Sequence, residues 1–330
     1  MQANIATSLV LAVFLLVETP KVRSHLVSRR DLFSRESALD MAPGSFDDQY
    51  AGCVAAMEAA LPDLNRTEFN ASSVYAQAWN AAAARWQERR DQELKAPPTS
   101  RRRPPPPGFG DEHAVALLAY TANSPLHKEF NAAVREAGRS RAYYLRYFPF
   151  KTLHFLLTEA LRRLGSGQQP RCQQVYRGIH GVRFRPAGPG TTVRLGAFSS
   201  ASLKDAAAHQ FGEDTFFGIW TCHGVAIKGY SFFPGEEEVL IPPYETFLVV
   251  NASVPAQGPV RIYLKAKDKA STFNCEYIKD KQCTSGRCKL NNSATVERME
   301  PFSPSQQLLP LLWLFMALSS LDLPSLLWLL

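Results

Sequence analysis

The sequence has no closely paired C-x-x-C cysteines, no cluster of histidines and no G-x-G-x-x-G opening a helix. The first two absences argue against a metal site. The third removes the phosphate-binding turn of a doubly wound dinucleotide fold. His113, His154, His180, His209 and His223 are scattered and read as structural. No internal repeat or long coiled segment is apparent, which argues against a purely structural role. Basic residues are not spread over a face: the net charge of +7 is modest, and the one dense cluster, Arg101-Arg102-Arg103, runs into Pro104–Pro107. That segment reads as a solvated extended loop, not a nucleic-acid footprint.

Lys and Arg are also missing from the two places where they orient membrane segments. Ile5–Val17 is an apolar run broken by Thr7 and Ser8 and followed by Glu18, Pro20, Lys21 and Arg23, with no basic residue before it. Its length suits a secretory leader better than a membrane span, so residues 1–23 read as a signal peptide, with a buried N-terminal helix as the alternative. Leu308–Leu330 is nearly all apolar and no Lys or Arg follows it. A spanning helix usually has such a basic flank. Upstream lie Asn292-Ser293-Ala294 and then a polar spacer from Thr295 to Gln307. Small site, spacer and tail together match a GPI-attachment signal, with attachment near Asn292 or Ser293 and loss of 308–330; a tail anchor is the competing reading.

All six cysteines, Cys53, Cys172, Cys222, Cys275, Cys283 and Cys288, fall between these ends. In an exported chain they are expected in disulfides, whose connectivity spacing alone does not choose. Cys283 and Cys288 flank Thr-Ser-Gly-Arg and are close enough to form a small loop. Sequons at Asn65, Asn70, Asn251 and Asn291 agree with export.

The first half reads as helical. Ala55–Ala60 is Ala-rich and Pro62 is expected to stop it. Ser73–Leu94 carries Tyr75, Ala78, Trp79, Ala82 and Trp86 at helical spacing, so the tryptophans read as core. Asp111 suits the start of the next helix, and further helices are expected at Leu126–Ala137 and Lys151–Arg163. The second half changes period. Strands are expected at 175–179, 191–195, 216–220, 225–227, 239–241, 247–251 and 260–264, punctuated by Gly and Pro. Helices first and strands after imply an α+β domain rather than alternating βαβ units.

The densest polar feature is Phe232-Phe-Pro-Gly-Glu-Glu-Glu-Val-Leu-Ile. If Glu238 begins the strand, Glu236 and Glu238 share one face and Glu237 points away. Two carboxylates on one face can divide a charge-stabilising task and a proton-transfer task. A solvated acidic turn is the plainer alternative. Arg177 lies in the apolar strand Val175-Tyr-Arg-Gly, where a guanidinium needs an anion, and a pyrophosphate suits it. Gly178 lets a ligand approach the backbone. Ser200 and Ser202 alternate onto one side of Ala197-Phe-Ser-Ser-Ala-Ser, where their hydroxyls can bond a ribose and fix a carboxylate. A structural ion pair for Arg177 and a turn role for the serines remain open.

Arg in a strand, then Ser-x-Ser, then Glu-x-Glu resembles the R-S-E signature of cholera-toxin-like ADP-ribosyltransferases. The segments Leu117-Leu-Ala-Tyr-Thr-Ala, Ala197–Ser202, Tyr230–Glu245 and Asn274-Cys-Glu-Tyr-Ile are similar to the GPI-anchored, arginine-specific ecto-enzymes of vertebrates. The resemblance covers about Ser45 to Cys288. It implies an α+β fold in which the helical part packs on a mixed β-sheet core of two facing sheets that form an NAD cleft. The catalytic domain would be 24–290, helical at about 45–165 and β-rich at about 170–280, followed by the attachment region and spacer at 291–307.

By the same resemblance, Arg177 holds the NAD phosphates and Gly178 bonds the nicotinamide amide. Ser200 contacts the ribose and places Glu238, with Ser202 beside it. Ala201 departs from a frequent Ser-Thr-Ser, and as the middle residue it points elsewhere. Glu238 is the central catalytic carboxylate, and Glu236 orients or deprotonates the acceptor guanidinium. NAD is the donor and no metal is needed. The resemblance further implies disulfides Cys53–Cys275 and Cys172–Cys222; Cys283–Cys288 is the pair that remains. The implied partners are arginine-bearing extracellular or lumenal proteins and a membrane reached through a GPI lipid. Location at the cell surface or in a lumen such as the sarcoplasmic reticulum stays open. Two competing functions are an NAD glycohydrolase and a catalytically silent anchored ectodomain.

Overall fold

The computed structural model describes residues 35–97, 99, 104–167 and 172–279. The leader, the arginine cluster at 101–103, Cys283, Cys288, Asn291, the attachment region and the apolar tail lie outside the described residues.

A short strand, β1 (Arg35–Leu39), precedes six helices. Helix α1 (Val54–Ala71) runs through Pro62 instead of stopping there. A proline inside a helix removes one backbone bond and costs about 3 kcal/mol. Met57, Leu61, Leu64 and Glu68 are buried on one stripe of α1, and burying three apolar side chains at about 1.5–3 kcal/mol each outweighs that cost. Helix α2 (Ser73–Lys95) keeps its expected span and is capped by Ser72, whose hydroxyl accepts the Tyr75 N–H at 3.2 Å. Trp79 and Trp86 pack against the core as expected.

Helix α3 (Asp111–Thr121) is buried continuously from His113 to Tyr120, so it is the central helix of the layer. Helix α4 (Leu126–Ala137) has the expected bounds. Helix α5 (Arg141–Tyr147) was not expected; its signal is the Ser140 hydroxyl, which accepts the Tyr143 N–H at 3.0 Å. Helix α6 (Lys151–Ser166) begins on the buried Glu68 carboxylate, which accepts the N–H groups of Lys151 and Thr152 at 2.7 and 2.9 Å. That contact fixes α6 against α1 and satisfies donors that a helix start leaves open.

The strands follow: β2 (Gln173–Ile179), β3 (Val182–Pro186), β4 (Thr192–Arg194) and β5 (Ser199–Ser202). After a short helix α7 (Asp205–His209) come β6 (Thr215–Thr221), β7 (Val225–Ala226), β8 (Glu238–Ile241), β9 (Glu245–Ser253) and β10 (Val260–Lys269). Eight of them form a mixed sheet in the order β4-β9-β10-β6-β2-β5-β8-β7, and β1 pairs with β3. The expected helices on a mixed sheet are found, but in place of two facing sheets there is one eight-stranded sheet, thinnest at a seam where β2 meets β5 through the single pair Tyr176↔Ser202.

The chain ends of the domain are clasped by two buried carboxylates. Asp47 pairs with the buried Arg194 and accepts the N–H groups of Thr272 and Phe273 at 2.8 and 3.0 Å. Asp48 accepts those of Cys275 and Glu276 at 2.9 and 3.0 Å. Cys53–Cys275 closes beside this clasp, and Cys172–Cys222 ties the start of β2 to the end of β6. Among the described residues no helix is long and apolar enough to cross a membrane.

Candidate active site

A cleft of about 680 Å³ opens where the seam between β2 and β5 faces the ends of α3 and α4. Arg177, Gly178, Ser200, Ser202, Glu236 and Glu238 all line it. The sequence separates these residues by up to 61 positions, from Arg177 to Glu238; strand pairing and the turn before β8 bring them together.

Glu238 is the first residue of β8 and is 6% exposed. Its Oε2 accepts the Ser231 hydroxyl at 3.0 Å, and the Ser200 hydroxyl bonds the same carboxylate. Burial pushes its pKa up, and the nearby Glu236 adds to this; the two serine bonds and the Arg177 charge pull the other way. The group is therefore a desolvated carboxylate held by two hydroxyls beside one cation.

Glu236 reaches the cleft by a different route from the one its spacing implies. Pro234–Glu236 is a 3-10 turn and Glu237 has left-handed backbone angles, φ 49° and ψ 52°. The strand begins at Glu238, as expected, but Glu236 belongs to the turn before it, so strand alternation does not place the two carboxylates on one face. The turn and the left-handed residue bring both carboxylates into the cleft instead. Glu236 is half-buried, and desolvation raises its pKa.

Arg177 is half-buried, and one of its guanidinium nitrogens donates to the Ser200 carbonyl. Burial lowers its pKa against the opposing influence of Tyr120 and Glu238. It remains cationic, since a guanidinium starts far above neutral pH. The bond to Ser200 crosses the seam at the point where the ladder is thinnest.

The two remaining expected residues have partners that the sequence did not disclose. A Cβ at Gly178 would stand 2.2 Å from the Ala208 carbonyl and 2.4 Å from that of Gly212. The glycine thus admits the close approach of α7 and the turn after it, rather than opening space for a ligand on that side. Ser202 Oγ donates to the Glu236 carbonyl at 2.6 Å and accepts the Lys204 N–H at 2.9 Å. It anchors the glutamate loop, while Ser200 faces the carboxylate.

Three site residues were assigned no role from sequence. Tyr120 donates to the Phe198 carbonyl at 2.9 Å, accepts from Asn131 Nδ2 at 3.1 Å and shares a hydrogen bond with Ser200. Asn131 Oδ1 is buried without a partner and its residue lines the cleft. Ser231 supports Glu238. For the first, the available signal was a Tyr-Thr ending the apolar run of α3, inside the family-like segment Leu117-Leu-Ala-Tyr-Thr-Ala.

Helices packed on a mixed sheet, with Arg, Ser and Glu from the neighbouring strands β2, β5 and β8 gathered in one cleft, define an ADP-ribosyltransferase fold. A solved structure of the eukaryotic mono-ADP-ribosyltransferase ART2.2 superposes with a TM-score of 0.61 at 40% identity, covering 73% of this chain and 99% of that one. A variant of that enzyme was solved in complex with NAD, at 39% identity to this chain. The family model for NAD:arginine ADP-ribosyltransferase matches residues 39–272. The chain belongs to that family. It is 66% identical to the human GPI-linked NAD(P)(+)--arginine ADP-ribosyltransferase 1, covering 99% of this chain and 100% of the relative. It is 48% identical to the chicken erythroblast NAD(P)(+)--arginine ADP-ribosyltransferase, over 77% of this chain and 80% of that one.

Proposed function

We propose that the chain transfers a single ADP-ribose from NAD to arginine side chains of proteins and releases nicotinamide. The observation that carries this reading is the convergence of Glu236 and Glu238 in the cleft that also holds Arg177 and Ser200. The volume is in the range of small-molecule clefts, and Arg177 offers a cation for the donor's pyrophosphate.

The reaction breaks the bond between ribose C1′ and the nicotinamide nitrogen, and its electron pair leaves with nicotinamide, which becomes neutral. Positive charge develops on the ribose ring. Glu238, already desolvated and held by Ser231 and Ser200, supplies a fixed negative charge to that transition state. Ser200 and Glu238 also offer groups to the ribose hydroxyls. A guanidinium nitrogen of the acceptor then bonds C1′. Arginine is a poor nucleophile while protonated, so a proton must leave during attack. Glu236 accepts it; its pKa, raised by desolvation, suits it to that task. Gly178 would bond the nicotinamide amide through its backbone. No metal is used.

We further propose that residues 1–23 are a leader, 24–290 the catalytic domain, and 291–307 the attachment region and spacer, with 308–330 removed on addition of a GPI lipid near Asn292 or Ser293. The relatives' designation as GPI-linked supports this arrangement. Acceptors would then be arginine-bearing proteins outside the cell or in a lumen such as that of the sarcoplasmic reticulum. Glycans at Asn65, Asn70, Asn251 and Asn291 and a Cys283–Cys288 disulfide belong to the same picture. The relatives' NAD(P) designation extends the donor to NADP.

The test is incubation with labelled NAD and agmatine, beside the Glu238→Ala form. Labelled ADP-ribosyl-agmatine from the parent alone is expected. Free ADP-ribose without the adduct would mark a glycohydrolase, and neither product a silent ectodomain.

A further inference from the structure

We propose that Glu237 is a positioning residue: its left-handed backbone turn, pinned by Lys204 and Lys228, aims Glu236 into the cleft beside Glu238 and so sets the balance between transfer to arginine and hydrolysis of NAD. This rests on the functions assigned above to Glu236 and Glu238.

The pleat of a strand does not deliver both carboxylates to one cleft, because Glu236 belongs to a 3-10 turn. The chain reverses its twist at Glu237, with φ at 49°. A residue with a Cβ is disfavoured in that conformation, so something must hold it there. The backbone supplies two bonds: Glu237 N–H to the Pro234 carbonyl at 3.4 Å, and Leu203 N–H to the Glu237 carbonyl at 3.2 Å. The side chain adds two more contacts on one oxygen. Glu237 Oε1 lies 3.3 Å from Lys228 Nζ and 3.4 Å from Lys204 Nζ. Lys204 Nζ also donates to the Gly235 carbonyl at 3.4 Å.

The two lysines come from opposite sides. Lys204 follows β5, the strand of Ser200, and Lys228 follows β7; both strands flank β8. The clamp therefore ties the glutamate loop to the strands on either side of Glu238. Each exposed pair alone is weak. Sharing one oxygen across a strained turn, they act together on a disfavoured conformation.

The consequence is unequal for the two carboxylates. Glu238 is held by strand pairing and by Ser231 and Ser200. Glu236 is held through the loop backbone, by the Ser202 bond to its carbonyl. Relaxing the turn at Glu237 thus moves Glu236 and leaves Glu238 in place. Both reactions break the C1′–nicotinamide bond and send its electron pair to nicotinamide. They differ in what then bonds C1′: a guanidinium nitrogen that gives its proton to Glu236, or a water oxygen whose proton leaves to Glu236 or solvent. Transfer needs an oriented guanidinium, so it is the reaction that suffers.

The experiment compares the full-length parent with Glu237→Val, Glu237→Gly and the double variant Lys204→Met/Lys228→Met. Labelled NAD is supplied with agmatine, and ADP-ribosyl-agmatine and free ADP-ribose are counted separately. Valine is branched at Cβ and resists a left-handed φ, whereas glycine adopts it freely. The transfer-to-hydrolysis ratio should fall about tenfold in Glu237→Val, matching about 1.4 kcal/mol, and glycine should return most of what valine loses. The double lysine variant should lower the ratio about threefold, in line with weak exposed pairs. A parental ratio in folded Glu237→Val overturns the proposal, as does an equal loss in valine and glycine. Should the valine form fail to fold, an unchanged ratio in the double lysine variant overturns it. A parent that makes no adduct would instead overturn the proposed function.

Discussion

Ser231 Oγ and Glu238 Oε2 lie 3.0 Å apart, and the same hydroxyl accepts the Phe233 N–H at 3.1 Å. One serine thus orients the central carboxylate and anchors the start of the loop that carries Glu236. Ser231→Ala should lower the transfer rate about tenfold, since a hydrogen bond to a charged group contributes about 1.5–3 kcal/mol. The fall should appear in kcat more than in the KM for NAD. Steady-state kinetics check this, and an effect on KM alone would show that Ser231 serves donor binding.

Asp47→Ala should destabilise the domain by about 3–5 kcal/mol, because it leaves the buried Arg194 without its carboxylate. It also frees the Thr272 and Phe273 N–H groups. Chemical denaturation measures the loss. An effect under about 1 kcal/mol, the scale of an exposed pair, would contradict the clasp assigned to Asp47.

Cys53–Cys275 joins residues 222 positions apart. Loops of that length gain the most from a crosslink, and Cys53→Ser/Cys275→Ser should cost about 2–5 kcal/mol. The readout is the melting temperature of the variant against that of the parent. A parental melting temperature would show that the Asp47 and Asp48 clasp suffices alone.

His154 is fully buried, its Nε2–H faces the Phe46 carbonyl at 3.3 Å, and its Nδ1 accepts the Tyr50 hydroxyl at 2.8 Å. Both contacts are met by the neutral ring, and burial lowers the pKa to about 3 from an ordinary 6.5. Unfolded chains take up a proton there first, so this group makes stability fall as pH drops from 6.5 towards 3. His113, lowered to about 4 by burial, acts in the same direction. His154→Gln keeps a donor and an acceptor but does not titrate. Its denaturation midpoint should depend less steeply on pH below 6.5, and an unaltered slope would contradict the assignment.

What the sequence disclosed follows from where the relevant forces act. Helix α4 keeps its expected bounds because its apolar spacing and the Pro125 and Gly138 at its ends all agree. Pro62 misled because tertiary burial of Met57, Leu61 and Leu64 outweighs one lost backbone bond. Strands β1 and β3 passed unnoticed, since their pairing joins segments far apart and their arginines and glutamate mask the alternation. At the site, Arg177, Ser200, Glu236 and Glu238 were picked out by the resemblance to the R-S-E pattern, since their types alone left structural readings open, and the structure places all four in one cleft. The route by which Glu236 arrives was not legible, because a left-handed glutamate has no compositional signal. The partners of Gly178 and Ser202 were hidden likewise: α7 and Lys204 reach them only once the sheet has formed.

The most direct test of the paired-carboxylate account is product partition in Glu236→Gln. Labelled NAD and agmatine are supplied to the parent and to this variant, and ADP-ribosyl-agmatine is separated from free ADP-ribose. The account predicts that the variant still releases ADP-ribose, because Glu238 and its serine bonds are intact, while the adduct disappears. Full adduct formation by Glu236→Gln would contradict the assignment of the acceptor's proton to Glu236.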